Sequence, residues 1–289
     1  MYDIIVIGGG PAGLSAAVQA RSRNRSVLII SGQERDVPLS QAGRVNNYLG
    51  MPGLSGRELI ARFSTHAAQL GAERMEGRAL SAMATSGRFL VAVGSEVAEG
   101  RALILATGVA HGPKYPGESE FLGRGVSYCA TCDGMLYRGK PVVVVGASAQ
   151  APEEANFLQE LGCQVTYVSR TRPEALQPSI DFVSAVRLEI VGDQQAAALR
   201  ADGREIPCAC VFLLRPSMAP ADLMPGLALS GPYLQVDRDM ATNLPGVFAA
   251  GDCTGLPLQI SKAVGEGLIA GHRACDYLGN PPPPASNIC

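Results

Sequence analysis

The sequence predicts an α/β chain of two parallel-sheet domains, and three observations lead there. A strand running straight into a small-residue, glycine-containing turn occurs twice, at Ile4–Gly13 and again at Val142–Ala151. Two further apolar strands end in glycine turns, Leu103-Ile104-Leu105-Ala106-Thr107-Gly108 and Gly246-Val247-Phe248-Ala249-Ala250-Gly251-Asp252. The length of 289 residues exceeds what one small core organises.

Composition narrows the function classes. Apolar residues make up 47% of the chain and the net charge is −2. There is no basic footprint for nucleic acid and none for an acidic membrane surface. No apolar run approaches the ~20 residues that span a bilayer. Met1-Tyr2-Asp3-Ile4-Ile5-Val6-Ile7 reads as a strand rather than a cleavable leader, so a cytoplasmic location is expected. Eight cysteines scattered through such a chain fit a reducing compartment. Only Cys129/Cys132 and Cys208/Cys210 are close pairs, while Cys163, Cys208, Cys210, Cys253 and Cys275 sit in apolar surroundings and read as core.

The first strand, Ile4-Ile5-Val6-Ile7, is continuously apolar, as a buried parallel strand should be. Gly8, Gly10 and Gly13 then fill G-x-G-x-x-G, with Pro11 and Ala12 inside it, and Leu14–Ala20 reads as a small-residue helix. Glycine there permits a tight turn, close approach of a pyrophosphate and close helix–strand packing, with the helix N-terminus facing the phosphates. A ligand-free glycine turn is the alternative, and the flanking strand and helix speak against it. Val27-Leu28-Ile29-Ile30 is the second strand. Ser31 follows it where an acidic residue ordinarily holds the adenosine ribose, and its hydroxyl can partly replace that contact.

Tyr128-Cys129-Ala130-Thr131-Cys132-Asp133-Gly134 carries redox chemistry. Two residues between cysteines allow a small disulfide ring that opens reversibly. Such a pair is also half of many zinc sites, but Cys208-Ala209-Cys210 has the wrong spacing and His66, His111 and His272 are isolated, so no metal is expected. Asp133 is placed to act as general acid/base on the leaving thiolate; its other reading is an N-cap of the next turn.

Together these motifs resemble the two-dinucleotide-domain flavoprotein disulfide reductases. Cys129-Ala130-Thr131-Cys132-Asp133-Gly134 is similar to the motif of the low-molecular-weight thioredoxin reductases, and the resemblance covers essentially the whole chain. It implies two Rossmann-like domains, each a three-layer ββα stack, the second inserted in the first. The expected boundaries are 1–113 and 241–289 for an FAD-binding domain and 114–240 for the redox domain, with hinges near His111–Gly117 and Val236–Asn243. The resemblance further implies FAD contacts at Gly8, Gly10, Pro11, Ala12, Gly13, Ser31, Asn47, Ala106, Thr107, Gly108, Gly251, Asp252, Gln259 and Ile260, with Asp252 on the ribityl chain. By the same resemblance Cys132 faces the flavin, Cys129 attacks thioredoxin, and the enzyme is a homodimer. Val45-Asn46-Asn47-Tyr48-Leu49-Gly50 stands in place of the family's V-E-N-Y-P-G.

The second glycine motif departs from the NADPH-using pattern. Its loop is Gly146-Ala147-Ser148-Ala149-Gln150-Ala151, with Ser148 at the second glycine position and Pro152 near the helix start. After the strand Val165-Thr166-Tyr167-Val168, one family arginine is kept as Arg170, while Thr171 and Ala175 fill the other two positions. Arg172 is a substitute constrained by Pro173. About fifteen residues separate Ser169 from the next strand-like run at Ala185–Val191, too few for a helix and a strand, so the domain is expected to be trimmed. A hairpin is expected at Ala196–Cys208, turning at Ala201-Asp202-Gly203. Leu258 through Gly267 resembles the ferredoxin-dependent flavin thioredoxin reductases. Reduced ferredoxin is therefore the expected donor and thioredoxin the acceptor. The alternatives are NADPH as donor, a dithiol oxidase, or a flavoprotein with a second ligand or second flavin in the NADPH-like site. The tail after Gly279 is expected to be extended, with Cys289 incidental.

Overall fold

A computed structural model describes residues 1–109, 114–128, 130–148, 150–215 and 220–279, with Cys132 and Ala221 as backbone alone. The chain divides into two compact units, Met1–Ala110 with Ser217–Cys289, and His111–Pro216.

The first unit opens with β1 (Tyr2–Ile7), α1 (Pro11–Ser22), β2 (Val27–Ser31), α2 (Gly56–Gln69) and β3 (Glu73–Glu76). A meander comes next: β4 (Ala79–Thr85), β5 (Arg88–Val93) and β6 (Glu96–Leu105). The sheet order is β3-β2-β1-β6-β5-β4, parallel through β3, β2, β1 and β6 and antiparallel through the meander. Alternate side chains of β1 enter different cores, as the pleat requires. Ile4 and Val6 pack with Ala16, Ala17 and Ala20 of α1, while Ile5 and Ile7 pack with Phe89 and Val91 of the meander. Sheet, helix layer and meander make the expected three-layer ββα stack.

The second unit contains α3 (Glu118–Phe121), β7 (Val126–Ser127), α4 (Ala130–Asp133), β8 (Pro141–Gly146), α5 (Ala151–Glu160) and β9 (Gln164–Ser169). Then come β10 (Asp181–Ser184), β11 (Leu188–Gly192), β12 (Ala196–Ala201), β13 (Arg204–Pro207) and β14 (Cys210–Leu214). Its sheet, β10-β9-β8-β14-β7, is wholly parallel, and β11-β12-β13 is a separate antiparallel sheet. Val143, Val145 and Leu213 face β11 and β12, whereas Val142, Val144 and Phe212 face α5. The β12–β13 hairpin turns at Asp202 and Gly203, both at positive φ (47° and 89°), as a two-residue turn of matching twist requires.

The trimmed segment holds more than its length promised. β10 pairs in parallel with β9, so a strand is present where none was expected, and the crossover between them carries no helix. Arg172 holds that crossover closed. Its guanidinium donates to the carbonyls of Gln177 (2.9 Å) and Ile180 (3.2 Å) and lies 5.8 Å from the centre of the Phe182 ring.

The chain returns to the first unit through α6 (Pro220–Leu223), β15 (Leu229–Ser230), β16 (Tyr233–Leu234), β17 (Val247–Ala249) and α7 (Ile260–Gly279). The expected boundary at 240 is corrected here. Leu223, Met224, Leu227 and Leu234 are buried in the core between sheet and meander, so the chain is back in the first unit by Leu223 and the segment Val236–Asn243 is no connector. β17 pairs in parallel with the second half of β6. α7 lies against α1 so closely that a Cβ on Gly267 would stand 2.2 Å from the Ala12 carbonyl oxygen.

Candidate functional site

In the first unit the carboxyl ends of β2, β1, β6 and β17 lie side by side, and the predicted cofactor residues gather there. Gly8 follows β1, Ser31 ends β2, Ala106-Thr107-Gly108 follow β6, and Gly251-Asp252 follow β17. The backbone of this rim is tied together: Gly8 N–H donates to Ile30 O, Ala106 N–H to Ile7 O and Ala250 N–H to Leu105 O, at 2.8 to 2.9 Å. Ligands bind at such a strand end, where the strand order reverses about β1.

Four features of the rim await a partner. Helix α1 begins at Pro11 with Gly10 as its cap, no capping side chain and no acidic residue in its first turn. Its free N–H groups therefore offer an anion site. Ser31 Oγ is buried without a hydrogen-bond partner, against Gly9, and Thr107 Oγ1 is buried without one as well. The half-buried Asp252 carboxylate accepts no hydrogen bond among the described residues, and burial pushes its pKa up against the opposing pull of Lys262. A flavin dinucleotide fits this donor and acceptor set: pyrophosphate at the α1 N-terminus, ribose at Ser31, and polyol hydroxyls at Asp252. Asn47 and Gln259 are brought together by a 2.9 Å hydrogen bond, and Ile260 opens α7 beside them. Cys253, buried beside Thr107, has its thiol pushed up to about 11 by burial.

In the second unit the redox motif leaves β7 and forms α4. Cys129 lies outside the described residues, and Cys132 is placed by its backbone within α4. Asp133 does not use its side chain to cap the turn Gly134–Tyr137; its Oδ2 accepts from the buried Ser127 hydroxyl at 2.6 Å. Among its described residues the second unit holds three free buried thiols, Cys163, Cys208 and Cys210, in keeping with the expectation that they are core. Burial pushes Cys208 up to about 11 and Cys210 up to about 12, and it raises Cys163 as well. Held as thiols, they do not compete with the motif's cysteines as nucleophiles.

Glu118 is fully buried. Its carboxylate accepts from Arg215 through both oxygens, from Tyr115 N–H at 2.8 Å and from the Tyr128 hydroxyl at 2.9 Å. Burial raises its pKa, but these donors outweigh it and hold the carboxyl below the ordinary glutamate range. Tyr128 immediately precedes Cys129, so the cluster anchors the chain as it runs into the redox motif.

The second glycine loop is built differently from the first. The Tyr167 hydroxyl fills the space above Gly146, 1.8 Å from where a Cβ would stand. Glu153 and Glu154 sit in the first turn of α5, where α1 has no acid. Two carboxylates at a helix N-terminus oppose a bound pyrophosphate. Arg172 is engaged by its own loop, Arg170 is exposed, and Ser148 Oγ is buried without a partner. Neither Tyr167 nor the glutamate pair was expected to matter from the sequence, although the acidic pair was visible in Pro152-Glu153-Glu154.

Residues 2–267 match the family described as pyridine nucleotide-disulphide oxidoreductase. The chain is 36% identical to a thioredoxin reductase of Listeria monocytogenes, over 96% of this chain and 94% of that one. Among solved structures it is similar to a ferredoxin-flavin thioredoxin reductase from Clostridium acetobutylicum, with a TM-score of 0.91, 38% identity, and coverage of 96% and 97% of the two chains. A thioredoxin reductase from Gloeobacter violaceus has a TM-score of 0.84 and 31% identity, with 96% of this chain and 94% of that one covered.

Proposed function

Because this chain belongs to the pyridine nucleotide-disulphide oxidoreductases, among the thioredoxin reductases, we propose that it reduces thioredoxin through FAD and a Cys129–Cys132 disulfide, with reduced ferredoxin as electron donor. FAD is the cofactor, and bound in the first unit it supplies the electrons that open a disulfide. Gly8, Gly10 and Gly13 with the α1 N-terminus hold its pyrophosphate, Ser31 its ribose and Asp252 its polyol chain. Once reduced, Cys129 attacks the thioredoxin disulfide and forms a mixed disulfide; Cys132 then displaces the thioredoxin thiol and re-forms the Cys129–Cys132 bond. The Asp133 carboxyl, steadied by Ser127, moves the proton to and from the departing sulfur. Homodimeric assembly and a cytoplasmic location complete the proposal; no described helix is long and apolar enough to cross a membrane.

The observation that carries the choice of donor is the engagement of Arg172 by its own helix-free crossover. A guanidinium already donating to two carbonyls is not free to clamp an adenosine 2′-phosphate bidentately. The acidic first turn of α5 and Tyr167 above Gly146 support the same reading. The parallel β10-β9-β8-β14 framework favours NADPH as the second reading. Anaerobic stopped-flow absorbance decides between them. Reduced ferredoxin should bleach the flavin fully and rapidly while NADPH leaves it oxidised; rapid, complete bleaching by NADPH overturns the ferredoxin assignment.

Asp133→Asn should lower thioredoxin reduction by about 10²- to 10⁴-fold, the usual weight of a positioned acid/base. Flavin reduction by the donor should be unchanged. An Asp133→Asn enzyme with normal steady-state turnover removes Asp133 from the chemistry.

A further inference from the structure

We infer that Lys262 and Glu266 are positioning residues of the cofactor site, gripping the Gly251–Asp252 turn so that the Asp252 carboxylate is presented to FAD. The inference rests on the reading of the first unit as the FAD site.

The two side chains sit one turn apart on α7 and are largely buried, 14% and 18% exposed. Lys262 Nζ donates to Gly251 O (2.8 Å), Gly255 O (2.8 Å) and Thr254 Oγ1 (3.0 Å). These three bonds use every hydrogen of an ammonium group. Glu266 Oε2, 3.2 Å from Nζ, accepts from Gly251 N–H (2.8 Å) and from the Thr254 hydroxyl (2.8 Å). Gly251 is thus held at both its N–H and its carbonyl. Its conformation, φ +87° and ψ −150°, is one that L side chains rarely adopt. A Cβ there would stand 2.7 Å from the Ala12 Cβ, so the gripped turn rests directly on the first turn of α1.

Helix stability does not explain this arrangement. Lys262 stands in the first turn of α7, where the helix dipole disfavours a cation. An exposed lysine–glutamate pair contributes little, whereas here five hydrogen bonds converge on one short turn. Asp252 comes directly after Gly251. Its carboxylate has no donor of its own among the described residues, and the cation acting on it is this same Lys262. The clasp therefore fixes the direction of a group left open for a ligand, and keeps a positive charge beside it.

The test compares wild type, Lys262→Met and Glu266→Gln, each as apoprotein and reloaded with FAD. FAD affinity is read from the quenching of flavin fluorescence on binding, and melting temperature is measured with and without FAD. Lys262→Met should weaken FAD binding at least about tenfold, as loss of charge-assisted hydrogen bonds does. Its apoprotein should melt lower too, because Glu266 is left without its cation, but the holoprotein should fall further, so that the stabilisation conferred by FAD shrinks. Glu266→Gln keeps an acceptor for Gly251 N–H and should show a smaller loss of the same kind. Wild-type affinity in both variants overturns the inference, as does an equal fall in apo and holo melting temperatures, which marks a structural staple only. Should Lys262→Met fail to fold, wild-type affinity in Glu266→Gln alone overturns it. A wild-type protein that binds no FAD sinks the underlying assignment instead.

Discussion

Glu118→Gln should destabilise the protein by about 3–5 kcal/mol, the usual result of stranding one partner of a buried ion pair. Arg215 is 16% exposed and spends both Nη groups on Glu118, so without that carboxylate its charge stays in a poorly solvated site. Tyr128→Phe removes a single bond to a charged acceptor and should cost less, about 2 kcal/mol. Urea unfolding monitored for the second unit measures both. The pH dependence has a definite sign. Because the folded carboxyl is held below its ordinary value, Glu118 stabilises the fold above the unfolded pKa of about 4.3, and that stabilisation is lost as pH falls through the folded value. Wild type should therefore lose stability more steeply than Glu118→Gln on acidification below about pH 4. Parallel profiles in the two proteins exclude Glu118 as the titrating group.

The second large effect separates two glycines of one motif. Gly8→Ala should lose FAD and stability together, and Gly10→Ala should lose FAD alone. At Gly8 φ is +119°, and a Cβ would lie 2.1 Å from the Ala106 carbonyl oxygen and 2.7 Å from its carbon, both backbone atoms. Neither can move aside, because Ala106 N–H is bonded to Ile7 O and Gly8 N–H to Ile30 O. Strained backbone costs about 1–3 kcal/mol and overpacking a similar amount. At Gly10 φ is −83° and only Val37 Cγ1, at 3.9 Å, lies near the added atom. The fold accepts alanine there, but the methyl occupies the approach of the pyrophosphate. Flavin absorbance after purification and the apoprotein melting temperature read the two effects apart. FAD retained by Gly10→Ala argues against pyrophosphate at this turn.

The strand-end turns that gather at the rim are legible in the sequence as turns. Gly8-Gly9-Gly10-Pro11, the Ala106-Thr107-Gly108 turn, Gly251-Asp252 and the cysteine motif are short runs whose meaning lies in neighbouring residues. The features that escaped reading depend on distant partners. Glu118 and Arg215 are 97 positions apart, and neither residue type announces a buried pair. Lys262 and Glu266 stand in a segment noted for its family resemblance, yet their purpose appears only when Gly251 and Thr254 fold back onto them. β10 is hard to discern in the sequence because its four residues begin and end in polar side chains, Asp181 and Ser184. The return to the first unit leaves no mark in the sequence because Leu223, Met224, Leu227 and Leu234 follow no strand or helix period, though all four are buried. By sequence Arg172 is a constrained substitute for a phosphate-binding arginine, and the carbonyls that engage it belong to a loop whose shape the sequence does not reveal.

The pairing of β17 with β6 has a consequence during synthesis. On the ribosome Leu103–Leu105 emerge about 140 residues before Val247–Ala249, roughly 7–28 s at ordinary elongation rates. The whole of His111–Pro216 is made within that interval and can fold first, while the nascent first unit waits with one edge of its central sheet unpaired. An open parallel edge is a template for other chains. Pausing between Ser217 and Val247 therefore prolongs the stage most prone to aggregation, and the last thirty-odd residues of described chain close it.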